Sequence, residues 1–105
     1  MNEPKEYYNE GNLKITYEPE RDGYWLNIKH RDDSEGKYFI DNDVFQDILN
    51  SGPLEKLLKL DVLNPLIQIS INKSKISATT LCHALKEIKE REQKEFEDFK
   101  KANNL

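Results

Sequence analysis

The stretch Leu13-Lys14-Ile15-Thr16-Tyr17-Glu18-Pro19-Glu20-Arg21-Asp22-Gly23-Tyr24-Trp25-Leu26-Asn27-Ile28-Lys29 decides the fold class. In an extended chain, Leu13, Ile15 and Tyr17 share one face while Lys14, Thr16 and Glu18 take the other. Tyr24, Leu26 and Ile28 repeat the pattern, opposite Trp25, Asn27 and Lys29. Two such runs joined through Asp-Gly read as an antiparallel hairpin, with glycine supplying the left-handed turn geometry at no steric cost. The segment Asp32-Asp33-Ser34-Glu35-Gly36 repeats that turn chemistry, and Lys37-Tyr38-Phe39-Ile40 follows as a third strand.

From Asp41 the spacing becomes helical. Asp41 is placed to cap a first helix, with Ile40 and Phe45 as a hydrophobic staple and Val44, Phe45, Ile48 and Leu49 as the apolar stripe. Ser51-Gly52-Pro53 ends that helix, and a second short one follows with Leu54, Leu57 and Leu58 facing inward. Beyond Asn64-Pro65, the alternation of Ile67, Ile69 and Ile71 predicts a strand over Leu66 to Ile71 that joins the sheet. Ser77 then caps a helix running to about Lys101, with Ala78, Leu81, Cys82, Leu85 and Ile88 as its core stripe. The fold class expected is α+β. It comprises a mainly antiparallel four-stranded sheet (a three-stranded N-terminal meander plus one later strand), two short central helices and a long C-terminal helix. Residues 1–11 are polar and expected to fray, 12–88 form one domain, and 89–105 are a charged helical extension and tail.

Charge is divided unevenly along the chain. Residues 1–50 carry six Lys and Arg against twelve Asp and Glu, and residues 51–105 carry ten against eight, for a net charge of −4. The acidic front points to a protein partner with a basic surface rather than to nucleic acid, whose phosphates need a continuous basic stripe. Between Lys86 and Lys101 the cations are interleaved with acids, so no such stripe forms. No apolar run is long enough for a membrane span, and the start lacks the basic and apolar regions of a signal peptide, which suggests a cytoplasmic protein.

No catalytic, cofactor or metal pattern emerges. Asp41-Asn42-Asp43 opens like an EF-hand loop, but Gln46 and Gly52 stand where that loop needs Gly and Glu. One cysteine, Cys82, and two histidines, His30 and His83, lack metal-ligand spacing, and adjacent helical residues such as Cys82 and His83 point apart. The hairpin from Leu13 to Pro19 with Asp22-Gly23-Tyr24-Trp25 is similar to the opening hairpin of HicB-type antitoxins. The similarity covers that short stretch alone, the Pro-Gly-Cys-bearing segment expected next is missing, and no family is assigned on it.

The candidate partner-binding residues are therefore Trp25 and Phe39, an aromatic pair on the strand face opposite Leu26 and Ile28, with the carboxylates Asp32, Asp33, Glu35, Asp43 and Asp47. The function expected is that of a small acidic, non-catalytic binding module: an inhibitor, an immunity or antitoxin-like factor, or an accessory protein of a mobile element. The alternative is a homo-oligomeric scaffold, possible as a homodimer, that assembles through Phe96 and Phe99 on the C-terminal helix.

Overall fold

The computed structural model describes residues 4–102; the outermost parts of the expected frayed start and tail, 1–3 and 103–105, lie outside them. Four strands, β1 (Lys5–Asn9), β2 (Leu13–Glu18), β3 (Gly23–Lys29) and β4 (Glu35–Asp41), precede four helices, α1 (Asn42–Leu49), α2 (Pro53–Leu63), α3 (Pro65–Lys73) and α4 (Ala78–Ala102). The strands form one antiparallel sheet in the order β1-β2-β3-β4. The α+β class, the four-stranded sheet and the long C-terminal helix are as the sequence led us to expect. No helix among the described residues is long and apolar enough to cross a membrane.

Two elements differ from the sequence reading. Leu66 to Ile71 is not a strand but the body of α3, making three central helices instead of two. Asn64-Pro65 opens that helix: the Asn64 side chain accepts from Leu66 N at 3.0 Å, and proline sits where a helix needs no amide donor. The helix buries Ile67, Ser70 and Ile71 at spacings of three and four, leaving Ile69 outside. The fourth strand is instead Lys5–Asn9, at the edge beside β2. Its pairing shifts between Glu6 and Tyr8, and this bulge lets Tyr7 and Tyr8 both pack on the core side.

Helices α1, α3 and α4 pack on the sheet face that carries Leu13, Ile15, Tyr24, Leu26, Ile28 and Ile40, and α2 packs on these helices. Ile40 and Phe45 are both buried about the start of α1, as the staple requires, but the Asp41 side chain makes no capping hydrogen bond. Instead the Asn42 amide donates to Asp22 O at 3.0 Å. Ser77 does cap α4, accepting from Thr80 N at 3.2 Å. Tyr24 is the meeting point of the layers. Its ring stacks on Phe45 at 3.9 Å between centroids, with Tyr17 and Tyr7 at 5.1 and 5.9 Å. Its hydroxyl donates to Glu92 of α4, whose other oxygen accepts from Gln46 Nε2 at 3.1 Å. Burial and then this bond to a carboxylate push the Tyr24 phenol far above its usual range.

The hairpin glycines serve close approach, not turn geometry. Asp22 (φ 47°) and Asp33 (φ 69°) are the left-handed residues of the two turns, a conformation aspartate tolerates through local hydrogen bonding. A Cβ on Gly23 would overlap the Phe39 ring, and one on Gly36 would overlap Ser70 Oγ and crowd the Tyr38 hydroxyl at 2.7 Å. The space at Gly36 admits a polar chain that pins α3 to the β3–β4 hairpin. Ser70 Oγ bonds Tyr38 Oη and His30 Nε2 (3.0 Å), His30 Nδ1 bonds Ser34 Oγ (2.9 Å), and Tyr38 Oη donates to Leu66 O (3.1 Å). Next to it, Arg31 N donates to Lys73 O at 2.9 Å. Replacing Gly36→Ala is expected to lower stability in urea denaturation by about 1–3 kcal/mol, the usual cost of overpacking, with partial recovery when Ser70→Ala removes the obstructing oxygen. Parental stability in the single variant would contradict the close approach.

Candidate functional site

Strand alternation places Trp25 and Phe39 on the sheet face away from the helices, as neighbours in register with ring centroids 5.1 Å apart in an edge-on arrangement. Both are half-buried, because their faces are occupied from within the chain. The Arg21 guanidinium lies 4.2 Å from the Phe39 centroid and 5.4 Å from that of Trp25, and Lys37 Nζ lies 5.0 Å from Trp25. Trp25 Nε1 donates to Glu18 Oε2 at 3.1 Å, an oxygen that also faces Arg21 Nε at 3.9 Å. The pair is thus a local stack of aromatics and cations, with its own hydrogen-bond partner.

The carboxylates separate into two groups. Asp32, Asp33 and Glu35 stand at the turn between β3 and β4, whereas Asp43 and Asp47 are on α1 beyond the other end of β4, about 20 Å away at the rise of an extended strand. Asp32 Oδ1 accepts from the Ser34 hydroxyl (2.5 Å) and amide (3.0 Å), which hold its carboxyl below the usual carboxylate range. Asp33 pairs loosely with Lys29 at 3.9 Å. Of the turn acids, Asp32 extends the polar chain through Ser34 and His30 to α3. The sequence singles out His30 but carries no sign of its link to Ser70, which is 40 positions away.

The most exposed apolar surface lies on α2. Leu54, Leu58 and Val62, four residues apart, are 77, 64 and 85% exposed, while the opposite side of the helix buries Lys56 and Leu60. Leu54 and Leu58 thus face outward, contrary to the sequence reading, because leucines lie on nearly every side of this helix and the packing of α1 and α4 chooses among them. Between α1 and α2 is a groove of about 340 Å³, with Val44, Leu58 and Val62 among its walls and Asp47 and Lys59 paired at 2.9 Å on its rim. Glu55 and Asp61 are exposed on either side of the leucine stripe, and Asp43 lies one turn before Asp47. Asp47, Glu55 and Asp61 thus border the Leu58–Val62 part of the stripe, where Lys59 is already paired with Asp47.

Phe96 and Phe99 are exposed near the end of α4, past Glu95, which pairs with Lys5 at 2.9 Å. Cys82 is not in the core stripe; it is partly exposed beside α2, its thiol directed at Pro53 O at 3.7 Å. Among the described residues no group of three His, Cys, Asp or Glu side chains could hold a metal ion. No family model, no curated protein and no solved structure matches the chain.

Because folding lowers the Asp32 pKa, its stabilising contribution is complete above the unfolded value and is lost as pH falls through the folded one. Asp32→Asn, which keeps an acceptor for Ser34, should therefore lose less stability than the parent as pH falls below about 4. Equal acid sensitivity in denaturant titrations at each pH would show that the turn hydrogen bonds do not act through this carboxylate.

Proposed function

We propose that the chain is a non-catalytic binding module for a basic protein surface, in the manner of an inhibitor, an immunity or antitoxin-like factor, or an accessory protein of a mobile element. The observation that carries this reading is the stripe of Leu54, Leu58 and Val62, an apolar ridge on the outside of a helix and bordered by carboxylates. Monomeric proteins seldom leave such a row uncovered, and an apolar centre with a charged border is the usual anatomy of an interface. The partner that fits is an amphipathic helix with an apolar stripe and flanking Lys or Arg, its stripe packing on α2 and its cations facing Asp43, Asp47, Glu55 and Asp61. These acids would speed encounter and reject acidic competitors. A second reading, a homodimer through α4, is favoured by the exposure of Phe96 and Phe99 one turn apart.

Two synthetic helical peptides with the same leucine stripe, one flanked by lysines and one by glutamates, distinguish these readings in a nuclear magnetic resonance titration. The lysine peptide is expected to shift the amides around Leu54, Leu58 and Val62, to weaken as salt rises, and to lose at least about tenfold in affinity to Leu58→Glu. Equal binding of both peptides, or shifts confined to Trp25 and Phe39, would refute docking on α2. The homodimer reading instead requires a sedimentation mass that rises with concentration and falls on replacing Phe96→Ala and Phe99→Ala.

A further inference from the structure

On its other flank, where α2 meets α4, the helix borders a groove of opposite character. This cavity of about 390 Å³ has Leu54, Leu57 and Cys82 among its apolar walls, and its basic lining residues are Lys56, His83 and Lys86. In a chain of net charge −4, no carboxylate lines it. Lys56 is buried, and among the described residues its ammonium has one acceptor, the Ser51 carbonyl oxygen at 2.5 Å, and no acidic partner. A lysine held by a single carbonyl keeps donors to spare, since its ammonium carries three. Lys86 and His83 likewise make no ion pair among the described residues.

An apolar trough with a cationic border and no acid selects an anion with an apolar body. Free phosphate or another compact anion would leave Leu54 and Leu57 wet, while a cationic amphiphile would meet Lys56 and Lys86 with like charge. The volume falls in the range of small-molecule sites. We propose that the α2–α4 groove binds a medium-chain fatty carboxylate, its alkyl chain along Leu54, Leu57 and Cys82 and its carboxylate beside Lys56 and Lys86. This site goes beyond the proposed protein-binding ridge, which has the opposite border charge; the two share Leu54, while Cys82 and Lys86 of α4 belong to the groove alone.

Decanoate below its micelle concentration is the probe, measured by equilibrium dialysis against the whole chain, with decyltrimethylammonium as the charge-reversed control. One decanoate per chain is expected, with affinity falling about tenfold in Lys86→Glu, the effect of replacing one partly desolvated attraction by repulsion. Binding should be unchanged in Leu58→Glu, which alters the outer ridge but not this groove. Lys86 is exposed, so its replacement leaves the fold intact, and circular dichroism checks this. Decanoate should also slow alkylation of Cys82 by N-ethylmaleimide to the extent that the site is filled. The proposal is overturned by absence of decanoate binding, by equal binding of decyltrimethylammonium, by parental affinity in Lys86→Glu, or by decanoate binding that leaves Cys82 alkylation unchanged. Loss of peptide docking on α2 with decanoate binding retained would remove the first reading and leave this one standing.

Discussion

Tyr24 is the interaction on which the arrangement of layers depends. From the second position of β3 it holds Tyr7 of β1 and Tyr17 of β2 at its sides, Phe45 of α1 against its ring, and Glu92 of α4 at its hydroxyl. Three of these contacts are between aromatic rings; the fourth is a charge-assisted hydrogen bond, and it ties the long helix to a fixed place along the sheet. Arg91 continues the anchorage, donating to the carbonyls of Glu6 and Tyr7 at 3.3 Å. The charged stretch of α4 is thus tied to the sheet by polar contacts after its leucine stripe has ended.

With α1 and α4 so placed, α2 has little freedom in how it turns. It packs on α1, α3 and α4, burying Lys56 and Leu60 and half-burying Leu57, while Leu54, Leu58 and Val62 face water. Burying a lysine while exposing Leu54, Leu58 and Val62 reverses the ordinary preference of these side chains. That inversion is the clearest departure of this fold from the rule that local and global choices agree. One helix therefore separates two unlike surfaces: an apolar ridge among carboxylates and an apolar trough among amines.

Much of the sheet was legible because period-two alternation, a one-sided core and Asp-Gly turns all agreed between Leu13 and Ile40. The first strand was not, since the bulge after Glu6 brings Tyr7 and Tyr8 to the same side and destroys the alternation that would have revealed it. The third helix was misread because Ile67, Ile69 and Ile71 satisfy a strand pattern, while Ser70, a buried polar residue, carries the helical one. Trp25 and Phe39 were correctly assigned to one face, but the cations that cover them come from Arg21 in a turn and Lys37 on the neighbouring strand. The ridge on α2 had no local signal at all. Its leucines surround the helix, and only partners distant in sequence decide which of them are buried. Glu92, 68 positions from Tyr24, was hidden for the same reason.

The central claim, that the Tyr24–Glu92 bond locks α4 over the sheet, is tested most directly by a double-mutant cycle of Tyr24→Phe and Glu92→Gln in urea denaturation. A bond to a carboxylate in this half-buried setting predicts that the double variant loses less than the sum of the singles, by about 1–2 kcal/mol. Strictly additive losses would contradict it, and would leave the placing of α4 to its apolar stripe and the contacts of Arg91 and Glu95.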